Sequence, residues 1–164
     1  MITVKETTEN DLVNVKQLWA DGDVMKFVGF PEGLHETDES MKKWFNWILS
    51  SRPIINHFSI FDNDVYCGET FFAIDEKHDN SASLDIKLFK FARGKGIATT
   101  ALSHAIEEAF KNGANKVWVD PNLDNVKAIA LYERLGFERK PMPEYLIADE
   151  GIISIYMELI KNNE

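Results

Sequence analysis

With 164 residues, the chain has the length of one ordinary domain and is long enough to bury a core without staples. Its one cysteine, Cys67, excludes an intramolecular disulfide and cysteine-rich metal motifs. The net charge of -9, from 27 acidic against 18 basic residues, argues against a nucleic-acid partner, which wants a basic surface. Neither a signal-like N-terminus nor an apolar run of about eighteen residues is present, so the expectation is one cytoplasmic domain over 1–164 with no membrane partner.

Ile2 to Glu6 alternates and reads as a strand. Thr8-Glu9-Asn10-Asp11 supplies cap residues for a helix to about Ala20, whose Leu12, Val15, Leu18 and Trp19 recur at helical spacing. Thr37 or Asp38 caps a second helix to about Leu49, with Met41, Trp44, Phe45 and Ile48 as its buried stripe. Phe58–Phe61, the turn Asp62-Asn63-Asp64 and Val65–Ile74 form a hairpin signature. A polar turn then leads to a strand over Ala82–Lys90.

Gly94 to Lys111 reads as a helix stopped by Asn112-Gly113. Lys116–Val119 is a short apolar strand, and Asp124 to Leu135 a further helix closed by Gly136. Strands follow near Phe137 and along Ile153, Ile155, Met157 and Leu159. The class is α/β (α+β): a mixed sheet of about seven strands with about four helices on its faces. The unit from Ala82 to Asp120 is expected to be a parallel crossover.

Arg93-Gly94-Lys95-Gly96-Ile97-Ala98 lies between a strand and a helix. Its glycines allow a tight turn and expose N–H groups at a helix start, which carries partial positive charge and suits a diphosphate. The segment lacks the Gly-Lys-Ser/Thr of a P-loop and the third glycine of a dinucleotide fingerprint. Taken alone, it serves equally well as a helix-entry device. Downstream, Asn125, Ala128 and Tyr132 share one helix face: an amide, a gap beside a small side chain, and a phenol. Asn125 also suits a helix N-cap, and Tyr132 a half-buried core phenol.

The two segments together resemble the GCN5-related N-acetyltransferases (GNAT). Arg93–Ala98 is similar to that family's Arg/Gln-x-x-Gly-x-Gly/Ala pattern. Asn125-x-x-Ala128-x-x-x-Tyr132-x-x-x-Gly136-Phe137 looks like its second signature, in the right order and separation. The resemblance covers nearly the whole chain, most strongly Ala82–Phe137. It implies a mostly antiparallel central sheet and acetyl-CoA as cosubstrate, with no metal. Backbone groups of Ile86, Lys87 and Leu88 would hold the pantetheine arm, and the loop Arg93, Gly94, Lys95, Gly96, Ile97 and Ala98 the diphosphate. Asn125 would reach the pantetheine or acceptor region, Ala128 would leave room beside it, and Tyr132 would stand near the sulfur.

Attack of an amine on a thioester needs a proton acceptor for the amine and a donor for the thiolate. Tyr132, with a reference pKa of ~10 against ~8.5 for a thiol, suits the second role. Asp120, twelve positions before Tyr132, is the expected base, since it matches the carboxylate spacing of the ribosomal-protein alanine acetyltransferase branch that the chain resembles. Asp120-Pro121-Asn122 equally reads as a turn. Glu69 is the reserve and Asp85 a weaker alternative. The acceptor expected is a small-molecule or peptide amine, with an acidic stretch from Asp21 to Glu39 favouring a cationic one. His35, His57, His78 and His104 show no metal or triad spacing. A CoA-binding sensor without turnover is the rival expectation, and a homodimer is left open.

Overall fold

The alternating segments assemble into one sheet, and a computed structural model of the chain describes residues 1–147 and 153–162. Strands are β1 (Ile2–Glu6), β2 (Ile55–Asp62), β3 (Val65–Asp75), β4 (Ser81–Leu88), β5 (Lys116–Val119), β6 (Glu138–Arg139) and β7 (Met157–Ile160). Helices are α1 (Leu12–Ala20), α2 (Gly22–Met25), α3 (Asp38–Ser51), α4 (Ile97–Lys111) and α5 (Val126–Arg134). The seven strands run in the order β1-β2-β3-β4-β5-β7-β6. Pairing is antiparallel except between β4 and β5, the strands joined through α4, which are parallel as the crossover reading expects.

Local chemistry sets the boundaries. The Thr37 hydroxyl accepts from the Ser40 N–H at 3.1 Å and the Ser40 hydroxyl accepts from the Thr37 N–H at 3.0 Å, so α3 starts at Asp38. Asn63 and Asp64 take left-handed φ values of 48° and 67°, closing the β2–β3 hairpin. Three details differ from the sequence reading. The helix expected from Gly94 starts at Ile97, because Gly94 and Gly96 adopt φ values of 76° and 79° and form the loop instead. A short α2, unpredicted, forms where the Asp21 carboxylate accepts from the N–H groups of Asp23 and Val24; it makes five α-helices among the described residues rather than four. Ile153 and Ile155 lie outside β7: Ile155 donates to the Pro121 carbonyl at 3.0 Å and Ile153 accepts from Leu123 at 2.9 Å, lashing the tail to the loop after β5.

One apolar cluster joins Phe58, Phe72, Ala82, Leu84, Val117 and Val119 of the sheet to Leu102, Ala105 and Ala109 of α4 and to Ile129 and Tyr132 of α5. Another joins Leu12, Val15 and Leu18 of α1 to Met41 and Phe45 of α3 and to Tyr66. A bulge in β3 places Cys67 as an extra residue, since Ile60 pairs with Gly68 and Phe61 with Tyr66. Cys67 turns into the cluster with Ile97 and Ala101, whereas Tyr66 and Glu69 turn toward α1. Glycine is required at 68, where a Cβ would stand 2.0 Å from the Lys87 carbonyl oxygen.

Candidate active site

The parallel ladder between β4 and β5 ends at Ser83 and Trp118, while β4 runs on to Leu88. The two strands therefore part, and a cleft of about 470 Å³ opens between Leu84–Leu88 on one side and Val119–Ala128 with Tyr132 on the other. An antiparallel ladder turns one residue's backbone groups to the neighbour and the next residue's away. Phe89 donates to Cys67 of β3, whereas the Leu88 carbonyl faces outward and accepts from the Arg93 guanidinium at 2.9 Å. Ile86 shares the parity of Leu88, so its N–H and C=O face the cleft.

Arg93, in the loop after β4, lines the cleft, and residues 94–98 lie beyond its lining. Gly94, Lys95 and Gly96 are exposed, and open space surrounds the position of a Cβ on either glycine. No side chain caps α4, so the N–H groups of its first turn are available to an anion. The Ile97 side chain is buried in the core, leaving only its backbone for a ligand. The Arg93 side chain is already engaged: beyond Leu88, it donates to Asp23 of α2 at 2.8 Å.

The other end is acidic. The side chains of Leu84, Ile86 and Leu88 point to the face of α4, so the alternation of β4 sends Asp85 and Lys87 to the opposite face. Val117 and Val119 likewise leave Trp118 and Asp120 on that face, where Asp23, Val24, Lys26, Phe27 and Val28 from the α2 region line the cleft. Desolvation by the cleft walls, together with the charge of Asp85, raises the Asp120 carboxyl to about 6 although the residue remains accessible. Tyr132 is buried at 6% exposure, and its ring meets Phe137 edge-on at 5.6 Å. Burial first, then Asp85 and Asp120, hold its phenol well above its ordinary range, so it stays protonated. Asn125 takes the N-cap role, its Oδ1 accepting from the Ala128 N–H at 3.3 Å. Its side-chain NH2 remains a donor at the cleft wall.

Glu69 lies outside the cleft lining, buried on β3. The Trp19 indole N–H donates to it, His57 Nε2 stands 3.1 Å away, and Lys87 Nζ 4.0 Å away. Burial alone would raise its carboxyl, but His57, Lys87 and the Trp19 hydrogen bond outweigh that and lower it to about 2. The acidic stretch Asp21–Glu39 is largely occupied: Asp21 caps α2, Asp38 pairs with Lys16 at 2.8 Å and Glu39 with Lys43 at 3.7 Å. Of its acids, Asp23 lines the cleft. Sequence reasoning had Asp23 only as one acid of that stretch, and it missed the Lys87 side chain. The two-residue step from Asp85 to Lys87 in a strand was the available signal for the second. Among the described residues, no cluster of three His, Cys, Asp or Glu side chains could hold a metal ion.

Comparison with known proteins places the chain in a family. Residues 2–138 match the acetyltransferase (GNAT) domain. An uncharacterized N-acetyltransferase of Methanocaldococcus jannaschii is 27% identical over 143 residues, covering 84% of this chain and 61% of its own length. The chain thus spans about three-fifths of that relative. The [ribosomal protein bS18]-alanine N-acetyltransferase of Escherichia coli is 42% identical over 43 residues, 26% of this chain and 29% of that protein. The structure of spermidine N-acetyltransferase from Vibrio cholerae in complex with CoA and spermine superposes with a TM-score of 0.80 at 21% identity, over 97% of this chain and 95% of that one.

Proposed function

The chain belongs to the GNAT acetyltransferase family, and on that premise we propose that it transfers the acetyl group of acetyl-CoA to a primary amine of a small cationic acceptor by direct attack. The observation that carries this reading is the parting of β4 from β5. It opens a cleft that holds Asp120 and Tyr132, and whose β4 wall leads through Arg93 to the uncapped amides of α4.

The diphosphate of the cosubstrate lies on the backbone of Arg93–Ala98, where the α4 N-terminus supplies donors and partial positive charge. The pantetheine arm runs along the free edge of β4, meeting the outward backbone groups at Ile86 and Leu88, with Asn125 and Ala128 opposite. That path aims the thioester at Tyr132. An alkylammonium with a pKa of ~10.4 must lose a proton before attack, and the Asp120 carboxylate, ionised above about 6, accepts it. The amine nitrogen attacks the thioester carbonyl, the C–S bond breaks, and the Tyr132 hydroxyl gives a proton to the departing thiolate.

For the acceptor, support comes from Asp120 and Asp124, which line the cleft and form no ion pair among the described residues, whereas Asp85 and Asp23 are paired with Lys87 and Arg93. An ammonium is the natural partner of such carboxylates. Two of the three named relatives act on stated amines by their names, a polyamine in one and the alanine of a ribosomal protein in the other. The test is thiol release from acetyl-CoA over a panel of polyamines, aminoglycosides and N-terminal peptides. Release with a cationic amine, lost in Tyr132→Phe, supports the proposal. Tight acetyl-CoA binding with no release on any acceptor would make the protein a CoA sensor.

A further inference from the structure

Lys87 occupies an unusual place for an ammonium. It sits on the cleft face of β4 with a side chain only 12% exposed, in direct contact with the Asp85 carboxylate and 4.0 Å from Glu69. A cation so desolvated is stable only between anions that are themselves fixed. Glu69 is such an anion: its side chain is 5% exposed, held by the Trp19 indole and beside His57. His57 in turn is anchored through Nδ1 to the Thr7 hydroxyl at 2.6 Å, and Thr7 to Ser59 at 2.8 Å. A line of charges thus runs from the α1 face of the sheet to the cleft: Glu69, Lys87, Asp85, and across the gap Asp120.

We infer that Lys87 is a positioning residue of the reaction: pinned by Glu69, it neutralises Asp85 and thereby sets how readily Asp120 takes up a proton. This rests on the reading of Asp120 as the base. The other charged or titratable groups at the cleft are Asp23 and Lys26 from the α2 region, Arg93, Asp124, Lys127 and Tyr132. Asp23 is taken up by Arg93 and Lys26. Asp85 and Asp120 each lie two residues beyond the last β4–β5 pair, Ser83 and Trp118, and both line the cleft, so Asp85 is the charge set opposite Asp120, and Lys87 is its partner. Two carboxylates facing one another without a cation would share one proton rather than ionise together. Lys87 supplies that cation at Asp85.

The sign of each perturbation follows. Removing the Lys87 charge leaves Asp85 unopposed, so Asp120 holds its proton to higher pH. Removing the Glu69 charge gives Asp85 the whole of Lys87, so Asp120 releases its proton at lower pH. Lys87→Arg keeps the charge and should restore the parent value.

The experiment is a carbon-13 NMR titration of aspartate carboxyl groups in the full chain, with Asp120→Asn identifying the Asp120 signal. The expected result is an Asp120 midpoint raised by about one pH unit in Lys87→Met, lowered in Glu69→Gln, and unmoved in Lys87→Arg. An Asp120 midpoint unchanged in both Lys87→Met and Glu69→Gln would overturn the inference. Should Lys87→Met fail to fold, Glu69→Gln, which retains an acceptor for the Trp19 indole, decides alone. The readout needs no acceptor and no turnover. Shifted midpoints in an enzyme whose pH profile survives Asp120→Asn would therefore uphold the coupling and refute the base.

Discussion

Asp85 on β4 and Asp120 after β5 each lie two residues beyond the last β4–β5 pair, Ser83 and Trp118, and line the same cleft where the strands part. Desolvation first, and then the Asp85 charge, lifts the Asp120 carboxyl from the usual aspartate range to about 6. A base with that affinity is ionised at neutral pH and protonated in mild acid. kcat/KM with a competent amine should accordingly rise through a midpoint near 6. Asp120→Asn should abolish that limb and cost about 100-fold or more in kcat. A pH–rate profile of parent and variant checks this, and an unchanged profile removes Asp120 from the mechanism.

The same carboxyl makes a prediction about folding. Its folded pKa, about 6, exceeds the unfolded value of ~3.9, so the native state binds more protons than the unfolded chain between those values. Stability from this group is present in acid and is lost as pH rises through 6. Asp120→Asn should therefore melt higher than the parent at pH 7, with the gap closing toward pH 4. Thermal melts at the two pH values check it.

Glu69 has the opposite sign. Its carboxyl is lowered to about 2, so the stability it contributes is full above the unfolded value of ~4.3 and disappears as pH falls toward 2. Glu69→Gln should lose that part of the acid dependence. Trp19→Phe, which removes the indole donor from a buried carboxylate, should cost about 1–3 kcal/mol, read from denaturant melts.

Gly96 separates shape from charge. Its φ of 79° costs an alanine about 1–2 kcal/mol in backbone strain, yet a Cβ there meets open space. Gly96→Ala should fold less stably but keep most acetyl-CoA affinity. Gly96→Glu, which sets a negative charge at the anion-binding amides, should abolish it. Calorimetric titration with acetyl-CoA distinguishes them, and unchanged affinity in Gly96→Glu refutes the placement of the diphosphate.

Gly68 tests the architecture behind the site. A Cβ there would collide with the Lys87 carbonyl across β3 and β4, so Gly68→Ala should destabilise by at least about 3 kcal/mol. A melt within about 1 kcal/mol of the parent would show that the sheet yields.

What the sequence revealed was what local chemistry controls. Alternation and capping pairs located seven strands and the longer helices, and two glycines flanked by a strand and a helix marked the loop before α4 that we propose holds the diphosphate. What it concealed depends on long-range packing. α2 has four residues and rests on the Asp21 side chain, too short to carry a periodic pattern. The pairing of Ile153–Ile155 with the loop after β5 joins segments some thirty residues apart. Arg93 reads as a phosphate ligand, yet its contacts to Leu88 and Asp23 exist only because the fold brings α2 over the end of β4. Glu69 reads as an accessible carboxylate until the bulge at Cys67 turns it toward Trp19 and His57.

The most direct measurement is a crystal structure of the protein with coenzyme A. The account predicts the diphosphate on the backbone amides of residues 94–98, the pantetheine along Ile86–Leu88, and the sulfur within hydrogen-bonding reach of the Tyr132 hydroxyl. Coenzyme A bound elsewhere, or a Tyr132 hydroxyl turned away from the sulfur, would contradict it.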